Sequence, residues 1–182
     1  QKIESLGYGT LWLPETVGKD PLTTSSLLLS VTTKLNLATG IVNIYHREPG
    51  VMLAAQKTLA EQSQNRFALG MGVSHKPLVE GVRGLEYGPP VKTMRDYLSK
   101  MEASPYTGIA SSEKPTTLIA ALGPKMLELA AEKTDGAHPY FTSPEHTEFA
   151  RKILGKDKKL CVEQKVMLEP DLSKARDVAR PT

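Results

Sequence analysis

The sequence predicts one parallel α/β domain, and three observations lead there. Residues 35–43 and 67–73 are short apolar runs bounded by turn residues, as strands buried on both faces are. Between them, Val51, Ala54, Ala55, Thr58, Leu59 and Gln62 follow helical spacing after Pro49, a residue tolerated in a first helical turn. Strand, helix and strand with short connections make a right-handed crossover in a parallel sheet. Finally, six strand-like segments alternate with helical ones along 182 residues, without a fixed-period repeat or a low-complexity tract. A doubly wound sheet and a barrel satisfy that alternation equally well.

Taken in order, residues 1–6 read as the end of a helix that Gly7 closes. Residues 10–14 form a short strand whose carboxyl end delivers Glu15. Asp20-Pro21 opens the next element, and residues 22–33 are apolar enough for a helix that Ser and Thr weaken. After the central crossover, residues 76–90 turn irregular, with Gly81, Gly84, Gly88 and the Pro89-Pro90 pair. Residues 94–101 predict a short helix, and 104–116 are loop-like again. The whole stretch 76–116 reads as a lid or a substrate wall within a single domain spanning 1–182, because long connections in compact domains are usually functional. A strand over 117–122, a helix opened by Gly123-Pro124-Lys125 and a strand over 137–141 follow. Ser143-Pro144-Glu145 has N-cap, first-turn proline and first-turn acid in order, predicting a helix to Leu154. Leu160, Val162, Gln164, Val166 and Leu168 alternate as a strand, and residues 172–179 form a last helical piece.

Bulk properties narrow the function. Hydrophobic content of 40% and charged content of 24% are those of a soluble globular protein. The net charge of +3 is scattered and only 5% of residues are aromatic, which disfavours a nucleic-acid face. The single cysteine, Cys161, cannot pair internally, which points to a reducing cytoplasm. No apolar run approaches the roughly 20 residues of a membrane span, so no membrane partner is expected. Four histidines and one cysteine fall at no zinc-like spacing, so no metal site is expected.

Candidate chemistry gathers at the carboxyl ends of the strands, where parallel α/β folds hold ligands. Gly40 lies inside a strand, which marks a bulge or a close backbone approach. Gly70 and Gly72 interrupt a second strand that ends in Val73, Ser74 and His75, with tight packing as the equal alternative. Gly123-Pro124-Lys125-Met126 is the best anion site, since a helix begins there with unpaired N–H groups and a lysine nearby. Glu15 is a strand-end carboxylate able to hold a ring or a substrate. Asn43 can hydrogen-bond a ligand or cap a loop. His138 reads as a satisfied core or wall residue, and His46 and His146 as solvent-facing.

An ordered set of motifs adds to this reading. Gly7-Tyr8-Gly9-Thr10-Leu11-Trp12-Leu13-Pro14-Glu15, Ala38-Thr39-Gly40-Ile41, Arg47-Glu48-Pro49, Asn65-Arg66-Phe67-Ala68-Leu69-Gly70-Met71-Gly72, Ala120-Ala121-Leu122-Gly123-Pro124-Lys125-Met126 and Asp135-Gly136-Ala137-His138 together resemble the bacterial luciferase-like superfamily. The pattern covers roughly residues 3–170 and is most similar to the branch that uses the deazaflavin coenzyme F420, with FMN as the alternative cofactor. The resemblance implies a (β/α)8 TIM barrel. With six strands and 182 residues against the usual floor of about 200, the first and last strands are expected to be missing.

The resemblance also implies roles. Gly40-Ile41 matches a bulge with a non-prolyl cis peptide behind the cofactor ring, and Gly72, Val73 and Ser74 match the backbone beside it. Ala121, Leu122, Gly123, Pro124 and Lys125 match the turn that holds the phosphodiester side, with Phe141 and Thr142 as its neighbours. His75 falls where related dehydrogenases carry a proton-donating acid, and Glu15 is expected to pair with it in a relay. Family members place a histidine after the acid at Glu15, but Thr16 stands here, so that role is lost. The expected activity is hydride transfer between F420 and a small organic substrate. An FMN-dependent monooxygenase or a degenerate, non-catalytic binding barrel are the alternatives. A homodimer is expected, through the apolar face of residues 22–31.

Overall fold

The computed structural model describes residues 1–180, so Pro181 and Thr182 of the expected single domain lie outside the described residues. Short α1 (Lys2–Ser5) precedes β1 (Thr10–Leu13), then α2 (Pro21–Ser30), β2 (Asn36–Thr39) and β3 (Val42–Asn43). They are followed by α3 (Pro49–Gln62), β4 (Phe67–Gly72), α4 (Pro90–Ala103), β5 (Thr116–Ile119) and α5 (Pro124–Lys133). The described chain ends with β6 (Gly136–Ala137), α6 (Pro144–Leu154), β7 (Lys159–Leu160) and α7 (Leu172–Ala179). All pairings are parallel, in the order β1-β2-β4-β5-β6-β7, with β3 also on β4.

The sheet curls into a half-barrel. Three strands separate β1 from β6 in that order, yet the Trp12 ring of β1 stacks on His138, just past β6, at 4.4 Å between centroids and 9° between planes. Helices cover the outer face. Leu37, Leu69, Met71 and Ile119 of the strands are buried with Met52, Met94, Leu127 and Leu129 of α3, α4 and α5 in one apolar core. At about 25 cal/mol per Å² of apolar area, this layer is the main source of stability. Among the described residues, no helix is long and apolar enough to cross a membrane.

The bulge expected near Gly40 is visible in the register. From Leu37 to Val42 the chain takes five steps, while the facing run from Phe67 to Met71 takes four, so one residue is extra on that side. The Gly40–Ile41 peptide within it is cis. Where the bulge disrupts the ladder, the buried Thr39 hydroxyl takes over both bonds. It donates to Gly70 O at 2.8 Å and accepts from Gly70 N at 2.9 Å, so both backbone groups of Gly70 are paired.

Several boundaries differ from expectation. The first helix after β1 stops at Ser30, short of residue 33. The segment 94–101 is part of the longer α4, which Pro90 starts at a position where a missing N–H costs nothing. The irregular 76–90 run contains a π-helical turn, Pro77–Val82. The strands expected over 137–141 and 160–168 contract to two residues each. Past them, parallel backbone bonds continue through Cys161 N to Ala137 O at 2.9 Å, Glu163 N to Pro139 O at 2.9 Å and Phe141 N to Glu163 O at 3.0 Å. Phe141 then takes a left-handed φ of 49° and the chain leaves for α6. Beyond Glu163 the alternating side chains have no neighbouring strand, and Val166 and Leu168 are 78% and 97% exposed.

Candidate functional site

The mouth of the half-barrel is formed by the segments that follow β1, β3, β4, β5 and β6. Behind β1, Glu15 is drawn inward by its own backbone, whose N–H donates to Ile41 O at 3.2 Å. Its side chain is 8% exposed and fully engaged. The N–H of Asn43 donates to Oε2 at 2.6 Å, and Arg47 reaches Oε2 at 3.1 Å and Oε1 at 2.8 Å. Arg47 also bridges to Asp20, the N-cap of α2. Burial works against the Asp20 charge, yet the Thr23 N–H and the Arg47 guanidinium hold its carboxyl below the usual range. Burial likewise opposes the Arg47 charge, and Glu15 followed by Asp20 outweighs it and raises its pKa.

His46 belongs to the same cluster and is not solvent-facing as expected. Its side chain is 15% exposed, Nδ1 lies 3.5 Å from Glu15 Oε2, and Nε2 accepts from Asn43 Nδ2 at 3.2 Å. Asn43 Oδ1 accepts from Tyr45 N at 3.0 Å, so the amide caps the turn Ile44–His46. The described partners of Glu15 do not include His75.

At the centre of the mouth, the Ile41 side chain lies over Gly72. A Cβ on Gly72 would come within 2.8 Å of Ile41 Cδ1, so glycine is what lets Ile41 form an apolar floor there. Val73 and Ser74 are half-buried, and Ser74 turns the chain with φ 56°. His75 is exposed, and its carbonyl accepts from Leu78 N and Val79 N, each at 3.0 Å. The following segment crosses the mouth on three ties. Arg83 donates to Thr16 O at 3.2 Å, Tyr87 OH donates to Ser74 O at 3.3 Å, and Gly88 N donates to Tyr45 OH at 3.0 Å. Tyr87 stacks on Tyr45 at 5.5 Å.

The far wall joins two adjacent turns. Ala121 is buried, while Leu122, Gly123, Pro124 and Lys125 are exposed. Gly123 is the N-cap of α5 and supplies no side-chain cap; Pro124 has no N–H and Met126 N donates to Gly123 O at 3.2 Å, so the Lys125 N–H is the first-turn donor left uncapped. Phe141 is 53% exposed beside them, with the Lys165 ammonium 4.7 Å over its ring. The Thr142 hydroxyl and His146 Nδ1 are buried without a hydrogen-bond partner. His146 Nε2 donates to Leu122 O at 2.8 Å and ties the two turns together. That role, like that of His46, has no signature beyond a lone histidine near a helix start.

His138 is buried, as the core or wall reading expected. Its side chain is 6% exposed and packed on Trp12. Nδ1 lies 2.7 Å from Cys161 O, and Nε2 points to Gly40, where a Cβ would sit 2.8 Å away. Cys161 itself lines the barrel interior, and burial raises its thiol pKa.

Comparison with known proteins accords with this architecture. A Mycobacterium tuberculosis protein, provisionally named a coenzyme F420-dependent oxidoreductase, is 30% identical over 171 aligned residues, covering 78% of this chain and 49% of its own. A solved F420-dependent secondary alcohol dehydrogenase, in complex with an F420-acetone adduct, superposes with a TM-score of 0.78 at 16% identity over 97% of this chain and 66% of its own. The oxygenating constituent of 3,6-diketocamphane monooxygenase from Pseudomonas putida, in complex with FMN, gives a TM-score of 0.68 at 14% identity over 84% of this chain and 54% of its own. The chain spans about half the length of the curated relatives it matches. The sequence pattern of the luciferase-like monooxygenases matches residues 1–156. The chain therefore belongs to the luciferase-like monooxygenase family.

Proposed function

We propose that this chain is the cofactor-holding part of an F420-dependent oxidoreductase that moves a hydride between the deazaflavin and a small organic substrate. The orphaned Thr142 hydroxyl beside the uncapped first turn of α5 supports this reading most. Together they offer the Thr142 O–H, the Lys125 N–H and the positive end of a helix dipole to a phosphodiester. Leu122, Gly123, Lys125 and Phe141 would border that group, and Ile41 over Gly72 would form the floor under an apolar ring. When bound, the deazaflavin would supply the hydride chemistry. The protein's part is to orient, to exclude water and to handle one proton. His75, exposed at the end of β4, would exchange with solvent the proton gained or lost at the ring's far edge, while Glu15 would hold the wall through Arg47.

Anaerobic titration with F420 and with FMN, read by absorbance, tests the cofactor. Tight F420 binding that a Lys125→Glu, Thr142→Val double variant weakens by about tenfold, the equivalent of one charge-assisted hydrogen bond, is the expected result. Preference for FMN, with oxygen consumption, would replace this reading by that of a monooxygenase. Binding without turnover would replace it by that of a non-catalytic barrel. In the same assay His75→Ala should lower single-turnover hydride transfer by roughly 10²–10⁴-fold. A cytoplasmic homodimer completes the proposal. Leu22 and Leu29 turn inward, which leaves Leu27 and Val31 of the expected pairing face exposed. Light scattering of a Leu27→Asp variant against the parent chain reads that contact.

A further inference from the structure

His138 and Glu163 lie side by side on the adjacent segments that follow β6 and β7, in a pairing that the Glu15 cluster does not use. The Nδ1 contact with a carbonyl oxygen fixes the ring's proton, since a carbonyl can only accept. In the neutral ring Nε2 is then a bare lone pair. Stacking on Trp12 holds the ring plane, and the tight approach to Gly40 fixes where Nε2 points. Among the described residues Nε2 has no hydrogen-bond donor. Glu163 Oε2 lies 4.0 Å from it, on a side chain that is 40% exposed. Backbone bonds from Glu163 N to Pro139 O and from Phe141 N to Glu163 O, at 2.9 and 3.0 Å, fix the main chain that carries that carboxylate. Two acceptors that converge on one space without a donor between them are incomplete. What completes them is a proton or a group that carries one.

We propose that His138 and Glu163 form an acceptor pair that binds the O–H or N–H of the compound oxidised at the mouth and takes its proton. The proposal rests on the hydride-transfer reading and adds to it a chemical role for a residue whose sequence context reads as core or wall. For a substrate H–C–X–H, with X oxygen or nitrogen, a bound oxidised deazaflavin would supply the hydride acceptor, so that the C–H bond would break with its electron pair leaving on the hydrogen. The X–H bond breaks toward His138, whose Nε2 lone pair takes the proton, and the electrons left on X complete a C=X double bond. The imidazolium formed is neutralised by Glu163, so the site's net charge matches that of the protonated carboxyl it could otherwise have become. In the reverse direction the same pair returns the proton.

The ring nitrogens can be read directly by 15N NMR of the full chain, with ethanol and ethylamine as the O–H and N–H probes. The expected spectrum has Nδ1 protonated and Nε2 bare, and the Nε2 resonance moves on titration with a probe. In the Glu163→Gln variant the same movement requires several-fold more probe. An Nε2–H tautomer, or an Nε2 resonance that neither probe moves, overturns the pair. Turnover supplies the second arm. His138→Phe keeps a ring against Trp12, so folded variant, checked by circular dichroism, should bind F420 within about threefold of the parent and transfer hydride roughly 10²–10⁴-fold more slowly. Equal hydride transfer by the parent and by His138→Phe overturns the pair and leaves the hydride reading standing. An Nε2 that responds to the probes in a chain that reduces no F420 supports the pair and removes the hydride reading instead.

Discussion

An alanine at Gly70 would place its Cβ 2.0 Å from Thr39 O, a backbone atom that no side-chain rotation can move. This is where the strand bulge presses β2 onto β4, and the Thr39 hydroxyl replaces the ladder bonds that the bulge removes. Overpacking in a tight core costs roughly 1–3 kcal/mol, and a clash with main chain belongs at the upper end. Gly70→Ala is therefore expected to destabilise the fold by about 3 kcal/mol, measured as a lower midpoint in urea with an unchanged slope. Retained stability would show that β2 and β4 can separate without loss. Gly72, two residues on, meets a side chain instead, Ile41 at 2.8 Å, so its replacement should disturb the mouth more than the core. Both glycines were legible as special positions in the sequence. What they accommodate was not, because the partner atoms come from residues about 30 positions away in the chain.

At the scale of elements, the Glu4 carboxylate ties α1 to the body of the protein. Glu4 Oε1 accepts from Thr33 N, Lys34 N and Leu35 N at 2.8, 2.5 and 3.0 Å, holding the entry to β2. The Lys34 and Leu35 N–H groups, with a smaller share from Thr33, lower its pKa from 4.5 to about 2. A carboxyl with a depressed folded-state pKa adds stability that is complete above the unfolded value and is lost as pH falls through the folded one. The contribution is thus present above pH 4.5 and disappears toward pH 2. Glu4→Gln should separate from the parent in denaturation experiments at pH 6 and converge with it near pH 2. A constant difference across that range would assign the effect to packing. Helix starts were well marked in the sequence: Asp20-Pro21, Glu48-Pro49 and Ser143-Pro144 all pair a capping side chain with a first-turn proline. The strand expected over 160–168 failed for a reason that periodicity cannot carry. Alternation describes faces, but a strand also needs a neighbour, and β6 departs into α6 before residue 164 is reached.

Across the whole molecule, the contact that links the two sides of the curled sheet is the stack of Trp12 on His138. Both edges, β1 and β7, carry backbone groups that the sheet does not pair, so the curl depends on what the inner face buries. That face is thinner than the outer core. Ala38, Ala68 and Thr116 line a cavity of about 290 Å³ together with Trp12 and Cys161, whereas the helix-covered side is filled by Leu, Met and Phe. Removing a fully buried tryptophan costs about 3–5 kcal/mol. Trp12 is only half-buried, so Trp12→Ala should cost about 2 kcal/mol, including the ring stacking itself. The loss should also be local, because β4 and β5 keep their outer packing on α3, α4 and α5. Amide exchange separates global from regional opening. In the variant, protection should fall across Thr10–Leu13 and at His138, whose N–H donates to Ile119 O. It should persist at Leu69 and Met71 in β4. Uniform loss across all strands would mean that the curl and the outer core fold as one unit.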